Sequence, residues 1–373
     1  MNCTYYCLAA PKTKIETPRR VMFSIIPSSR SRLGEDSRVG RFCPSRPSNF
    51  PAAGCASPST FEKENWMKDF IHTRFLKRRQ FLRAGMLGLA AIAAHQKAGH
   101  LRAQPLGLPI GLELFTVRHE CEKDFPGTLE KVAVIGYKEV EIFDFYGRKA
   151  TDIRRILSSA GLVAPSSHTL SYVLSPRHPL SEVRSRWEEL IEYATELGVR
   201  YLGGSIGDVS RLHPLDDYKR LADLMNAVGE QCKRAGLQFA YHNLNIEFRK
   251  YDGVVPYDWL LGHTDPQFVQ LEIDCYWLTR AGKDPLEYFK MYPGRIPLLH
   301  IKDRKPGYAP ATNPDPGPGP FTEVGHGCID WKRILGAAPG GGLRHYYVEQ
   351  DFCDRPVLES LKMSYDYLKN LTL

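Results

Sequence analysis

In the second half of this chain, four short apolar runs each end on or beside a side chain that binds metals: LQFAYHN at His242, FVQLEID at Asp274, IPLLHIKD at His300 and HYYVEQD at Glu349. Two imidazoles and two carboxylates make a mixed nitrogen and oxygen set. Such a set suits Mn²⁺, Zn²⁺, Co²⁺ or Fe²⁺ better than Mg²⁺ or Ca²⁺, whose shells are largely oxygen. Further polar groups stand at comparable places. Glu141 closes one apolar run and His168 another, and Lys302 shares a side of its strand with His300 by the strand period of two. Asn243, Asn245 and Glu247 follow the fifth run, where side-chain amides and carboxylates meet substrate hydroxyls. Trp277, next to Tyr276, offers a flat aromatic ring that could stack on an apolar face of a ligand. Glu141, His168, Asn243, Trp277 and Lys302 are therefore candidate substrate contacts, with buried hydrogen bonding, a salt bridge or plain packing as the alternative use of each.

Such groups meet only if the strand ends are brought to one place. Runs of strand character at 110–116, 139–143, 163–168, 201–206, 238–243, 269–274, 297–302 and 346–350 alternate with amphipathic stretches such as 152–160, 180–197, 215–235 and 285–292. Gly161, Gly198 and Gly236 stand where a helix C-terminus calls for a left-handed residue. Eight strand–helix units predict a single-domain (β/α)₈ TIM barrel over 106–373, in which the C-terminal strand ends share one cavity. An open doubly wound sheet is the runner-up, but the first strand, Ile-Gly-Leu-Glu-Leu-Phe-Thr, is followed by no GxGxxG phosphate cradle. Between the seventh and eighth strands, 306–328 form a Pro/Gly-rich insertion on the same face, placed to act as a lid.

The net charge of +8 is unevenly spread. Residues 1–103 hold 18 Lys and Arg against 6 Asp and Glu, whereas the rest holds 32 against 36. The expected domain is slightly acidic, which argues against nucleic acid as a partner. The nine cysteines include no CxxC pair, so neither a zinc knuckle nor a redox motif is supported.

Residues 77–83, Lys-Arg-Arg-Gln-Phe-Leu-Arg, precede a weakly apolar run over 84–94 that is too short to cross a bilayer. Arg78, Arg79, Gln80, Phe81 and Leu82 resemble the twin-arginine export signal, with a cleavage point near Ala103. The resemblance implies the twin-arginine translocation machinery as a partner during export, and a periplasmic or extracellular location. Residues 67–103 are thus read as the signal segment and 1–66, rich in Pro, Ser and Arg, as a disordered extension, with Met67 an alternative start. Self-association is left open by the sequence.

From about residue 108 the chain resembles the xylose isomerase-like TIM barrels, the superfamily of sugar phosphate isomerases and epimerases. The resemblance is carried by Gly111-Leu-Glu-Leu-Phe-Thr-Val-Arg118, Gly136-Tyr-Lys-Glu-Val-Glu141, Tyr241-His-Asn243, Glu272-Ile-Asp-Cys-Tyr-Trp277, Leu299-His-Ile-Lys-Asp303, Val324-Gly-His-Gly-Cys-Ile-Asp-Trp331 and Val348-Glu349. It implies a metal held by His242, Asp274, His300 and Glu349, with Glu349 or His242 abstracting a proton next to a carbonyl. At strand five the family's glutamate is replaced by His242, and Trp277 stands where several relatives carry a second histidine. The implied reaction is sugar or keto-sugar isomerisation or epimerisation through a metal-stabilised enediolate. A lyase or dehydratase acting on a 3-keto-glycoside, and a carbohydrate-binding barrel without chemistry, are the alternatives.

Overall fold

Eight parallel strands close into a barrel in the computed structural model, which describes residues 105–170, 180–206, 215–313 and 319–373. The expected extension over 1–66 and export segment over 67–103 lie outside the described residues. The strands run in chain order as β1 (Gly111–Glu113), β2 (Glu139–Ile142), β3 (Val163–Ser167), β4 (Tyr201–Gly204), β5 (Gln238–His242), β6 (Val269–Asp274) and β7 (Leu298–Ile301). A short antiparallel pair, β8 (Asp303–Arg304) and β9 (Phe321–Thr322), comes next, and β10 (His345–Val348) completes the barrel between β7 and β1. The expected strands are thus the barrel strands, most of them shorter by a residue or more, with β6 as expected and β10 beginning one residue earlier. The β8–β9 pair was not anticipated, because two-residue strands inside a Pro/Gly-rich stretch leave no period to read.

The helices form because their apolar residues recur at helical spacing. In the helix Asp216–Arg234, the buried residues Tyr218, Leu221, Ala222, Met225, Val228 and Cys232 make one stripe facing the strands. Gly229 on that stripe allows close approach, since a Cβ there would lie 2.4 Å from the Phe268 carbonyl oxygen. The helix Ala150–Ala160 stops at Gly161, whose φ of 69° is the left-handed geometry expected from the sequence.

Strand residues divide by alternation. Tyr241, Ile273, Ile301 and Val348 join the apolar layer beneath the helices, while their neighbours point into the barrel. Ala240, Leu298 and Tyr347 fill the barrel interior as a separate apolar cluster. The polar side chains one step further along β5, β7 and β10 therefore rest on an apolar floor.

The insertion after β7 is tied down in two ways. Asp303, wholly buried, accepts hydrogen bonds from the backbone N–H groups of Arg304, Gly325, Gly327 and Ile329 and from Trp331 Nε1, at 2.7 to 3.3 Å. Asn245 Nδ2 donates to the carbonyls of Ala311 (3.0 Å) and Asn313 (2.7 Å), and the Ala311 N–H donates to the Arg280 carbonyl. The described part of the expected lid is thus fixed to the segments that follow β5 and β6. Asn245, a candidate substrate contact, tethers this segment through its Nδ2.

Removing the Asp303 carboxylate strands two buried donors, the Ile329 N–H and Trp331 Nε1, together with three part-buried ones. Asp303→Ala is expected to destabilise the protein by about 3 kcal/mol or more in urea unfolding, because each unpaired buried donor costs about 1–3 kcal/mol. A loss below about 1 kcal/mol would mean that water replaces the carboxylate and that the hub is dispensable.

Candidate metal centre and active site

Neighbouring strands supply the centre, because β5, β6, β7 and β10 lie side by side around the barrel. Asp274 pairs in register with His300, and the Glu349 N–H donates to the Ile301 carbonyl at 3.1 Å. The structure brings His242, Asp274, His300 and Glu349 together, with one potential ligand atom from each lying within 4.8 Å of all the others. All four side chains are buried. His242 Nε2 is 3.4 Å from Asp274 Oδ2, and His300 Nδ1 is 2.8 Å from Glu349 Oε2. None of these atoms is aligned for a hydrogen bond. Four buried, convergent atoms lacking hydrogen bonds are what a metal would satisfy, so the residues present fit a divalent ion of the borderline class.

A second layer surrounds His300 on its other side. Glu141 accepts a hydrogen bond from Ser166 Oγ and meets His300 Nε2 at 2.6 Å. His168 Nδ1 meets Glu272 Oε2 at 3.0 Å, and Glu272 Oε1 is 3.3 Å from His300 Nε2. Glu141, His168, Glu272 and His300 thus form a second grouping of ligand-type atoms within 4.8 Å of one another. Its hydrogen bonds are mostly closed within the grouping, which suits a role in orienting the His300 ring so that Nδ1 faces the first grouping.

Lys302 joins the two carboxylates of the first grouping. Its Nζ lies 3.3 Å from Asp274 Oδ2, 3.0 Å from Glu349 Oε2 and 2.6 Å from Asp351 Oδ1. The rings of Trp277, Phe321 and Tyr276 lie 5.2, 5.8 and 5.9 Å from that ammonium.

Burial and charge together set the protonation states. Burial alone would raise Glu349 and Asp274, but Lys302 beside them, with His300 and His242 respectively, holds both below the usual carboxylate range. Burial also opposes charge on His300, yet Glu272 and Glu349 raise it well above the ordinary imidazole value. His242, pressed by burial and by the neighbouring imidazoles, is lowered to about 4 and stays neutral. Glu113 and Glu141 are raised by burial and by the carboxylates beside them, Glu141 for the one and Glu272 for the other.

Several expected substrate contacts are otherwise engaged. Asn243 uses both ends of its amide on the main chain of Asp274, donating to its carbonyl (3.2 Å) and accepting from its N–H (3.1 Å), which positions the candidate ligand. Glu247 accepts from the Leu244 N–H and the Tyr241 hydroxyl on the helix side of β5. Glu141 and His168 are buried within the second layer. Trp277 is half-buried, its N–H capped by Asp274 Oδ1 at 2.9 Å. Glu113, Glu272 and Asp351 were not singled out from the sequence. Glu272 stands two residues before Asp274 on β6, where the period of two was the signal that could have found it, and Asp351 stands two residues beyond Glu349, past the end of β10.

A family model described as xylose isomerase-like TIM barrel matches residues 129–370. Among known proteins, the chain is 25% identical over 256 residues to one named inosose dehydratase from Lacticaseibacillus casei, covering 62% of this chain and 84% of that protein. A protein of the same name from Geobacillus thermodenitrificans is 24% identical over 254 residues, covering 62% and 84%. Among solved structures, a sugar phosphate isomerase/epimerase from Parabacteroides distasonis is 27% identical with a TM-score of 0.61, over 70% of this chain and 94% of that one. The IolI protein with a bound zinc atom shares the fold at 15% identity and a TM-score of 0.57, over 69% and 96%.

The neutrality of His242 has a pH signature in the metal-free protein. Its pKa is the ordinary 6.5 in the unfolded chain and about 4 in the folded one. The unfolded chain therefore holds the extra proton between these values, and stability falls as the pH drops from 6.5 to 4, by about 3 kcal/mol from this group. His242→Asn is expected to shrink the loss across that window by about this amount in urea titrations at stepped pH. Superimposable profiles for the two proteins would mean that His242 titrates as an exposed imidazole.

Proposed function

The chain belongs to the xylose isomerase-like TIM barrel family, and from that premise we propose that it is a metal-dependent enzyme that removes a proton beside the carbonyl of a sugar-derived ketone and then expels the β-substituent. The observation that carries this reading is the convergence of His242 Nε2, Asp274 Oδ2, His300 Nδ1 and Glu349 Oε2 without hydrogen bonds. A divalent ion held by these residues, Mn, Zn, Co or Fe, would polarise the substrate carbonyl and steady the charge that develops on its oxygen.

The chain's own groups account for the proton. Glu349 enters ionised and His242 enters neutral, so each is in the form that accepts a proton. Abstraction breaks the C–H bond and leaves its electron pair on the enolate. Collapse of the enolate forms the C=C bond and breaks the β C–O bond, and the departing oxygen takes a proton and leaves as water or an alcohol. Lys302 stands beside Glu349 and Trp277, where its ammonium and the indole face suit a hydroxyl-rich ring.

Two observations favour elimination. His242 replaces the second carboxylate that two-faced proton exchange would use, and the relatives named inosose dehydratase support loss of water on this scaffold. Isomerisation or epimerisation shares the first step and differs only in where the proton returns, and the neighbour described as a sugar phosphate isomerase/epimerase supports that second reading. Export by the twin-arginine route, carried by Arg78 and Arg79, belongs to the same reading and argues for an unphosphorylated substrate.

Elemental analysis of the purified protein tests the premise. The expected result is near-stoichiometric Mn, Zn, Co or Fe that is lost in His300→Ala, together with metal-dependent exchange of a substrate C–H with solvent deuterium in a screen of keto-sugars and keto-inositols. Exchange with release of water or alcohol supports elimination, and exchange with retention of all oxygens supports the epimerase. A wild-type protein that takes up none of these ions on reconstitution would overturn both.

A further inference from the structure

We propose that Lys302 and Asp351 together set the metal affinity of the centre, the Lys302 ammonium competing with the ion for ligand oxygens and Asp351 being the carboxylate to which it withdraws. The inference rests on the preceding assignment of His242, Asp274, His300 and Glu349 as ligands.

The competition follows from shared atoms. Lys302 Nζ lies 3.0 Å from Glu349 Oε2 and 3.3 Å from Asp274 Oδ2, the same oxygens that lack hydrogen bonds and face the candidate centre. A dication bound to those oxygens and an ammonium at that distance repel each other, more strongly in a buried site than in water. The ammonium is held in place because Lys302 is buried on β7's continuation, two residues beyond His300, with rings of Trp277, Phe321 and Tyr276 around it.

Asp351 offers the way out. It stands two residues beyond Glu349 and belongs to neither grouping of ligand atoms, yet its Oδ1 is already 2.6 Å from Nζ. It also faces the solvent more, with 17% of its side chain exposed against 8% for Glu349 and none for Asp274. Arg118 fixes the segment by donating from Nη2 to the Asp351 carbonyl at 3.0 Å while its guanidinium lies 4.0 Å over the Phe115 ring. An ammonium drawn to Asp351 releases the ligand oxygens without being left unpaired in an apolar setting. The same arrangement offsets the charge of the carboxylates when no metal is bound.

The two residues therefore act in opposite directions, which a merely structural salt bridge would not do. In competition titrations of the full-length protein with Zn²⁺ and Mn²⁺ against a chromogenic chelator, Lys302→Met is expected to tighten binding at least about tenfold and Asp351→Asn to weaken it at least about tenfold. The double variant is expected to match Lys302→Met, because Asp351 acts through Lys302. Metal-free Lys302→Met is expected to melt below wild type and to gain more in Tm on adding the ion. Lys302→Gln serves the same comparison if the methionine variant does not fold. Weakening or no change in both single variants, or additive effects in the double one, overturns the proposal while the metal centre stands. Absence of any binding by the folded wild type overturns the metal centre itself.

Discussion

Negative charge gathered inside a barrel is the constraint on which the rest of this structure depends. Glu113, Glu141, Glu272, Asp274 and Glu349 all point into one buried space. Carboxylates taken out of water are held there only if they are protonated, paired with cations or bound to a metal. The first two of these outcomes are visible. Glu113 and Glu141 are pushed toward their protonated forms, Glu272 is held ionised by His300 and His168, and Asp274 and Glu349 share the Lys302 ammonium. Buried atoms of His242, Asp274, His300 and Glu349, with Glu272 Oε1 and Asp351 Oδ1 beside them, are left without a hydrogen bond. The capacity of the site to hold a metal is thus the remainder of an electrostatic problem that the other residues only partly solve.

The barrel makes that problem tolerable by placing it at one level. Below the polar groups, the buried side chains of Ala240, Leu298 and Tyr347 form an apolar floor. Above them, Asp303 and Asn245 secure the segment that leaves β7, and Arg118 secures the one that leaves β10. The residues that fix these segments are themselves close in sequence to the reactive ones, Asp303 next to Lys302 and Asn245 next to the end of β5. Position and chemistry are therefore coupled through very short stretches of chain.

The legible part of the sequence was the part governed by periodicity. Apolar runs of strand length ending on His242, Asp274, His300 and Glu349 announced both the barrel strands and their shared rim, because a parallel strand buried on both faces leaves its polar residue at the end. Gly161 marked a helix end for an equally local reason. Residues whose role is set by three-dimensional partners could not be read this way. Asn243 and Asn245 have the composition of sugar-binding residues, yet one braces Asp274 and the other tethers 311 and 313. Asp303 was quoted as part of a motif, but its hub role depends on donors brought round by the insertion. Glu272 lies within reach of the strand period, one step inside the ring of Asp274, whereas Asp351 lies past the end of β10 and its role depends on Lys302.

The histidine at 242 follows from the same charge argument. A glutamate at that position would add another carboxylate to a space already short of cations, whereas a neutral imidazole contributes a donor atom with no charge to neutralise. The substitution leaves Glu349 as the only ionised carboxylate in the first grouping besides Asp274, whose other oxygen is engaged by the Trp277 N–H. Proton exchange on two opposite faces works best with two comparable bases, and here the two differ in charge, in proton affinity and in their contact with Lys302. An asymmetric pair suits a reaction in which one group takes the proton and the substrate itself releases the leaving group. The amount of negative charge the barrel holds therefore bears both on the metal proposed for the site and on the elimination proposed in preference to epimerisation.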